Sequence, residues 1–487
     1  MNYNEILRDI FVYQPEAPLM FNSPVFWLFG IIVLSVYAAI YRNKLSRTVF
    51  LLAFSLFFYY KTSGIFVLLL AGTLTAVYFV TRWMSSCQGR GRKWLLALDV
   101  ALVLGILGYF KYANFIGENI FALMGEDYHR LDIMLPVGIS FYSFQLLSYA
   151  IDVYRRELEN ERSFLNYAFY ITFFPQLVAG PIVRAKNFLP QLRRAVVVRR
   201  TEVEKGFFLI MIGLVKKCIF ADYLAQYNDL VFGNPGAYSG PETLFAVYGY
   251  AIQIYCDFSG YTDMAIGMGK MMGFDLGINF NKPYQSTSLT DFWRRWHISL
   301  SSWLRDYLYI PLGGNRKGKI RTHINLLITM LLGGLWHGAN WKFIFWGGMH
   351  GLGLVIDKLW RKITKGRLRE NRIAKVLGWF ITLHFVVALW VFFRADSFQT
   401  AVQILQQIFT PSSWPLILTF LQTRMLFVVL LIAAIAIHAV PSTRFSKIED
   451  AYIRTPFIVK AVAFVVLVQV IIQIQGTDVQ PFIYFQF

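Results

Sequence analysis

Histidines concentrate in one stretch, residues 290–350, that differs in character from the rest of the chain. This stretch contains His297, His323, His337 and His350 among arginines and tryptophans, whereas most other segments are apolar runs joined by basic loops. His337 lies inside an apolar run, where an ionisable side chain is energetically costly and usually serves a function. The stretch is therefore the first candidate for an active site.

His337 has two competing interpretations. In the first, it is a neutral imidazole that hydrogen-bonds a carbonyl where Gly333 and Gly334 allow helices to pack closely. In the second, it is a general base, because imidazole exchanges protons near neutral pH. The neighbouring Trp336 and Asn340 add polar groups and favour the second interpretation.

No other arrangement typical of a known chemistry stands out in the sequence. There is no Gly-Xaa-Ser-Xaa-Gly elbow and no phosphate-binding GKS or GKT, which argues against a soluble-type serine hydrolase and a P-loop enzyme. Cys87, Cys218 and Cys256 are scattered, and His323 and His337 lack a His-Glu-Xaa-Xaa-His arrangement. The sequence therefore predicts neither a metal site nor a bound cofactor.

The composition predicts a polytopic, all-α membrane protein. The chain has 487 residues, of which 56% are hydrophobic and 15% charged, and its mean hydropathy is +0.48. Apolar runs of this kind predict about ten to twelve spans, several of them short. We expect one integral membrane domain over residues 1–487.

The net charge of +19 comes mainly from short loops between apolar segments. Basic loops face the cytoplasm in multi-pass proteins, so these loops predict the orientation of the chain. In a soluble protein the same charge would suggest nucleic acid, but no nucleic-acid motif is present and we expect no such partner. Membrane lipids are the expected surroundings.

Two apolar segments do not fit simple spans. Phe164–Gly180 is interrupted by Pro175 and predicts a re-entrant hairpin, which is tolerated at membrane depth only inside protein or beside water. Leu135–Gly138 opens a helix with polar residues along it, including Gln145. Such residues usually join helices together, and lining a tunnel is the less common alternative.

The segment Ser288–Ile310 predicts one amphipathic helix, capped by Ser288, that lies at the cytoplasmic boundary or dips into the protein. Trp293 and Trp296 recur at helical spacing on its apolar side, and Arg295 falls on another side. Its arginines suit either lipid phosphates or a substrate donor. A second short amphipathic helix is predicted at 397–409.

Asp257 and Asp263 are predicted to lie at membrane depth. Carboxylates there pair with cations or line a water-filled path. Arg294, Arg295 or lysines are the candidate partners, and the reaction tunnel is the alternative location.

Several motifs in the same order resemble the membrane-bound O-acyltransferase family. They read LPVGISFYSFQ (135–145), FFPQLVAGPIVR (173–184), QIYCDFSGYTDMAIG (253–267), DFWRRWH (291–297) and WHG (336–338). The resemblance covers residues 130–360, which we expect to form the catalytic core. Residues 374–487 are expected to form a C-terminal transmembrane extension. It is most similar to the branch that O-acetylates alginate in bacteria.

The resemblance implies a ring of transmembrane helices with re-entrant segments, amphipathic cytoplasmic helices and a central tunnel. It implies acyl transfer from a cytoplasmic donor, here acetyl-CoA, to an exported cell-surface polysaccharide such as alginate. Resemblance to the same branch implies an extracytoplasmic acetyltransferase partner and a location in the bacterial inner membrane. The basic loops also suit a polyanionic donor.

The resemblance also implies roles within the site. His337 becomes the catalytic base and His297 its partner, which orients a substrate, donates to the acyl carbonyl oxygen or holds the tautomer of His337. The residues with weaker tunnel or donor-binding assignments are Trp293, Arg295, Trp296, Trp336, Asn340, Asp257 and Gln145.

Two rival functions remain open at this point. One is transfer of another acyl group, such as D-alanyl from an acyl carrier protein, to a cell-envelope polymer. The other is a transporter or flippase, in which membrane polar residues line a permeation path and His337 relays protons.

Overall fold

The computed structural model describes residues 10–15, 18–21, 23–178, 180–364, 371–474 and 482–483. The described residues are mostly helical and contain no β-strand, which confirms the all-α prediction. The segment 164–180, predicted to be re-entrant, falls partly outside the described residues, because residue 179 is not among them.

The α-helices of the first half are α1 (Pro24–Ile40), α2 (Lys44–Ser63), α3 (Phe66–Ser86), α4 (Gly89–Leu107), α5 (Ala113–Met124), α6 (Ile139–Arg155), α7 (Phe164–Thr172), α8 (Phe174–Leu177), α9 (Ala185–Arg193), α10 (Arg200–Leu214) and α11 (Asp222–Gly233). Those that follow are α12 (Gly240–Met271), α13 (Leu289–Arg295), α14 (Ile298–Leu304), α15 (Lys319–His337), α16 (Trp341–Ile363), α17 (Arg372–Arg394), α18 (Phe398–Ile408), α19 (Ile417–Thr423), α20 (Met425–Ala439), α21 (Ser442–Arg454) and α22 (Phe457–Ile474). Single π-helical turns occupy Gly108–Tyr112, Val215–Ala221 and Arg305–Tyr309.

Polar caps start several of these helices. The Ser23 hydroxyl accepts from the Phe26 amide, and the Asn43 side chain accepts from the Ser46 amide, at 3.2 and 3.0 Å. Ser397 caps α18 in the same way, which confirms the short helix predicted there. Such caps satisfy amide groups that have no partner inside the helix.

Among the residues that the structure describes, four helices are long and apolar enough to cross a membrane: α3, residues 89–124, α17 and α22. A bent pair, Ser413–Thr423 with Met425–Ala439, raises this number to five. This is fewer than the sequence predicted, because some predicted spans form shorter helices, such as the 17-residue α1, and others carry charged residues. Helix α12, for example, contains Asp257 and Asp263.

The chain divides into two compact units. The first comprises 1–210 and 264–277, and the second 211–263 and 278–487. The prediction of a 130–360 core with a C-terminal extension remains a prediction.

In the first unit, the apolar segment at 164–180 forms two short helices that break at Phe173. The amide of Phe174, exposed by the break, donates to the Ser55 hydroxyl at 3.0 Å. Pairing this buried amide makes an interrupted helix tolerable in an apolar interior. The broken helix fits the predicted re-entrant hairpin, whose path through a membrane stays a prediction.

In the second unit, α15 and α16 form an antiparallel hairpin whose backbones touch. A Cβ on Gly334 would lie 3.1 Å from the Cα of Gly347 and would collide with the Phe343 carbonyl oxygen. A Cβ on Gly347 would collide with the Met330 carbonyl oxygen. Close approach of this kind needs glycine on both helices.

The predicted continuous helix over 288–310 is wrong. Ser288 does cap its start, where its hydroxyl accepts from the Asp291 amide at 3.2 Å. The helix stops at Arg295, however, and resumes at Ile298. Between them, His297 adopts left-handed backbone angles, with φ 43° and ψ 57°.

We predict that Gly347→Ala destabilises the protein by about 1–3 kcal/mol, because the added methyl has no room between α15 and α16. The matched control is Gly72→Ala in α3, where a Cβ meets nothing within 4 Å and a helical alanine is intrinsically favoured. Melting temperatures of the two variants and the unmodified protein, measured in the same detergent, test this prediction. Equal melting temperatures for the two variants would contradict the close contact.

Candidate active site

The two histidines predicted to be catalytic lie against the same indole, that of Trp336. The ring centroid of His297 is 6.2 Å from that of Trp336, and the centroid of His337 is 5.0 Å from it. All three side chains are buried, and His297 is fully inaccessible. The second unit therefore brings the predicted base and its predicted partner together.

His337 is the last residue of α15 and is enclosed by aromatic rings. The Trp346 ring of α16 lies 5.1 Å from it, and the Phe393 ring of α17 lies 5.4 Å from it, both edge to face. Three consecutive long helices thus contribute to its surroundings. Apolar walls exclude water, which strengthens electrostatic interactions inside them.

His297 owes its unusual backbone to Asn279. The Ile298 amide donates to the Asn279 carbonyl oxygen at 2.9 Å. The Ser299 amide donates to Oδ1 of the Asn279 side chain at 3.1 Å. A left-handed conformation is unfavourable for a residue with a Cβ and persists when neighbours hold it, as at many functional sites.

The His297 ring is also held by Asn279. Nδ1 lies 3.1 Å from Asn279 Oδ1, and the Phe258 ring packs edge to face at 4.7 Å. Phe280 stacks at 6.4 Å. Burial lowers the pKa of His297 to about 3, so the ring is neutral at cellular pH.

A third buried histidine, His350, belongs to the same aromatic cluster. Nε1–H of Trp293 donates to Nδ1 of His350 at 3.3 Å. The Trp346 ring lies 4.6 Å from His350 and also contacts His337. The sequence alone assigns no role to His350. Because His350 lies one helical turn after Trp346, both side chains fall on one face of α16, and this spacing is the sequence signal that could have identified His350.

The other predicted residues of the region have different surroundings. Trp296 is buried between Phe292 and Trp390, at 5.7 and 4.9 Å. Arg295 pairs with Asp291 at 3.1 Å and is about one-third exposed. Asn340 is exposed and caps α16 through the Lys342 amide at 2.9 Å.

Asp257 pairs with a lysine, one of the alternatives considered. The ammonium of Lys217 lies 2.6 Å from Asp257 Oδ1 and 2.7 Å from Asp222 Oδ1, with all three side chains buried. The second oxygen of Asp257 accepts from the Ile483 amide at 2.9 Å. Asp263 likewise pairs with Lys216 at 2.6 Å.

Gln145 lies in the first unit, on α6, and is buried. Within the described part of the chain, neither polar atom of its side chain has a hydrogen-bond partner. Buried amides of this kind are uncommon and mark a place where a water or ligand fits. Its assignment to a tunnel remains a prediction.

The described residues include no cluster of three or more histidine, cysteine or acidic side chains placed to hold a metal ion. No sequence signal singles out Asn279. Asn279 stands in an irregular segment, Gly277–Lys282, with no motif around it, so only the folded chain reveals its contact with His297.

Residues 153–395 match the membrane-bound O-acyltransferase (MBOAT) family. A probable alginate O-acetylase of Pseudomonas aeruginosa is 42% identical over 409 residues, covering 82% of this chain and 76% of the relative. One from Pseudomonas putida is 38% identical over 498 residues, covering 96% and 100%. A peptidoglycan O-acetyltransferase of Helicobacter pylori is 36% identical over 423 residues, covering 80% and 79%.

We predict that Lys217→Met destabilises the protein by about 3–5 kcal/mol, since two buried carboxylates would lose their cation. The matched control is Lys270→Met, which removes a half-exposed pair with Glu202 and should change stability by less than about 1 kcal/mol. Thermal melting in detergent compares the two. A larger loss for Lys270→Met would refute a structural role for the buried cluster.

Proposed function

Because the chain belongs to the membrane-bound O-acyltransferase family and is an O-acyltransferase of the membrane, we propose that it transfers acetyl groups to an exported polysaccharide. The proposed donor is acetyl-CoA on the cytoplasmic side, and the proposed acceptor is a cell-surface polymer such as alginate. The observation that supports this most is the pair of buried histidines on Trp336, inside the region that matches the family.

In the proposed reaction, His337 acts as the general base. It takes the proton of the acceptor hydroxyl while that oxygen attacks the thioester carbonyl carbon. The carbon–sulfur bond then breaks, and the thiolate leaves with the proton returned by His337. The rings of Trp336, Trp346 and Phe393 keep water from competing with the hydroxyl.

The proposal also assigns locations to the donor, the acceptor and the partner protein relative to the membrane. A ring of helices with a central tunnel would connect a cytoplasmic donor with an acceptor beyond the inner membrane of a bacterium. The basic loops would face the cytoplasm and attract the phosphates of the donor. An extracytoplasmic acetyltransferase partner would assist delivery of the acetyl group to the polymer.

A second acceptor deserves a direct comparison. The Helicobacter pylori relative is named a peptidoglycan O-acetyltransferase, so peptidoglycan is the alternative polymer for the same acetyl chemistry. Transfer of D-alanyl from a carrier protein and transport without chemistry are the other rivals. The names of the relatives at 36–42% identity favour acetyl over both.

We predict that His337→Ala removes O-acetyl groups from the cell-surface polymer without changing its sugar backbone. A general base contributes roughly 10²–10⁴-fold to rate, so residual acetylation should be at most a few per cent. Mass spectrometry of the polysaccharide and of peptidoglycan measures the outcome at matched expression. The control, His129→Ala, changes an exposed loop histidine and should retain acetylation.

The possible outcomes separate the rivals. Loss of acetyl groups from peptidoglycan alone would reassign the acceptor. Loss of a D-alanyl ester would reassign the acyl group. Full acetylation in the His337→Ala strain would remove His337 as the base, and failed export of an acetylated polymer would favour a transporter.

A further inference from the structure

The contacts of Asn279 identify which end of its side-chain amide faces His297. The Ser299 backbone N–H donates to Oδ1 at 3.1 Å, and a backbone N–H requires an acceptor. The atom facing Ser299 is therefore the oxygen and not the nitrogen of the side-chain amide. The same oxygen lies 3.1 Å from Nδ1 of His297.

This geometry fixes the tautomer of His297. An oxygen that only accepts must receive a proton from Nδ1, and a neutral imidazole carries one N–H. The proton therefore sits on Nδ1, and the lone pair sits on Nε2. The Ser299 hydroxyl does not compete for Nδ1, because it lies closer to the amide oxygen, at 2.9 Å, than to Nδ1, at 3.4 Å.

We infer that Asn279 is a positioning residue that holds His297 as a hydrogen-bond acceptor at Nε2. The inference rests on the proposed acyl transfer. Of the three roles open to His297, donation to the acyl carbonyl oxygen is excluded for the neutral ring, since Nε2 has no proton to give. His297 instead orients a group that donates, namely the acceptor hydroxyl or the N–H of His337.

The backbone supports the same conclusion. Asn279 fixes the left-handed turn through its carbonyl oxygen and the ring through its side chain. One residue thus sets both where the imidazole lies and which nitrogen carries the proton. A substitution of the side chain removes the acceptor for Nδ1 and for the Ser299 amide, whereas the bond from the Ile298 amide to the backbone oxygen remains.

The elements around His297 present aromatic rings to it. These are Phe258 on α12, Phe280 beside Asn279, and Trp336 on α15. The charged residue next to Phe258, Asp257, is engaged with Lys217, and the titratable neighbour of Trp336 is His337. Burial alone accounts for the lowered pKa of His297.

Two substitutions of Asn279 test the inference on the full-length protein in detergent. Asn279→Leu removes the acceptor while keeping the number and branching of the side-chain heavy atoms. Asn279→Asp keeps an oxygen acceptor and adds a negative charge beside Nδ1–H. The matched control is Asn325→Asp. Asn325 lies on α15, is also fully buried, and donates to the Gly314 carbonyl oxygen at 3.1 Å.

The two variants should behave differently. Asn279→Leu should lose acetyl transfer at least about tenfold at every pH, because the ring loses its fixed tautomer. Asn279→Asp should recover part of that activity. Its carboxylate stabilises the imidazolium, so the acid limb of its pH–rate profile should move upward by about 1–3 pH units. Asn325→Asp should leave the position of that limb unchanged.

A readout independent of activity is ¹⁵N NMR of protein labelled at histidine, with His297 assigned by the signal lost in His297→Gln. The expected signal is a neutral ring protonated at Nδ1. Protonation at Nε2 would overturn the inference, and so would an active Asn279→Leu protein with the wild-type pH profile. A wild-type protein that transfers no acetyl group would instead refute the proposed function and leave the tautomer measurable.

Discussion

The cost of placing imidazoles in a dry interior governs the structure around residues 290–350. An imidazolium without a counter-charge is strongly disfavoured there, so a neutral ring is favoured. A neutral imidazole carries a single N–H, and the nitrogen that holds this proton decides which side of the ring donates and which accepts. Aromatic rings supply the dryness around His297 and His337. An asparagine, not a carboxylate, faces Nδ1 of His297, which directs the proton without favouring a positive charge.

The broken helix at His297 follows from the same requirement. A continuous helix over 288–310 would present His297 with an ordinary backbone and leave its position to side-chain rotation. Stopping at Arg295 and resuming at Ile298 turns the backbone and leaves amides without helical partners. Asn279 accepts from two of them, so the residue that orients the ring also satisfies the break.

Sequence patterns were sufficient for part of this description. The apolar composition predicted an all-helical chain, the capping serine at 288 predicted one helix start, and the amphipathic pattern predicted the helix at 397–409, because these signals are local. His337 stood out because ionisable residues are rare in apolar runs, and the role of His297 came from the family resemblance. Asn279 and His350 could not be found this way, since their importance lies in contacts with residues distant in sequence. The break at Trp296 was missed because helical periodicity continues across it.

The glycine contact between α15 and α16 has a consequence for motion at the site. Helices packed backbone to backbone leave no space into which one of them could slide along the other. Because Gly334 and Gly347 touch, α15 and α16 move together as one body. The spacing between His337, at the end of α15, and Trp346, on α16, is thereby kept when the hairpin shifts.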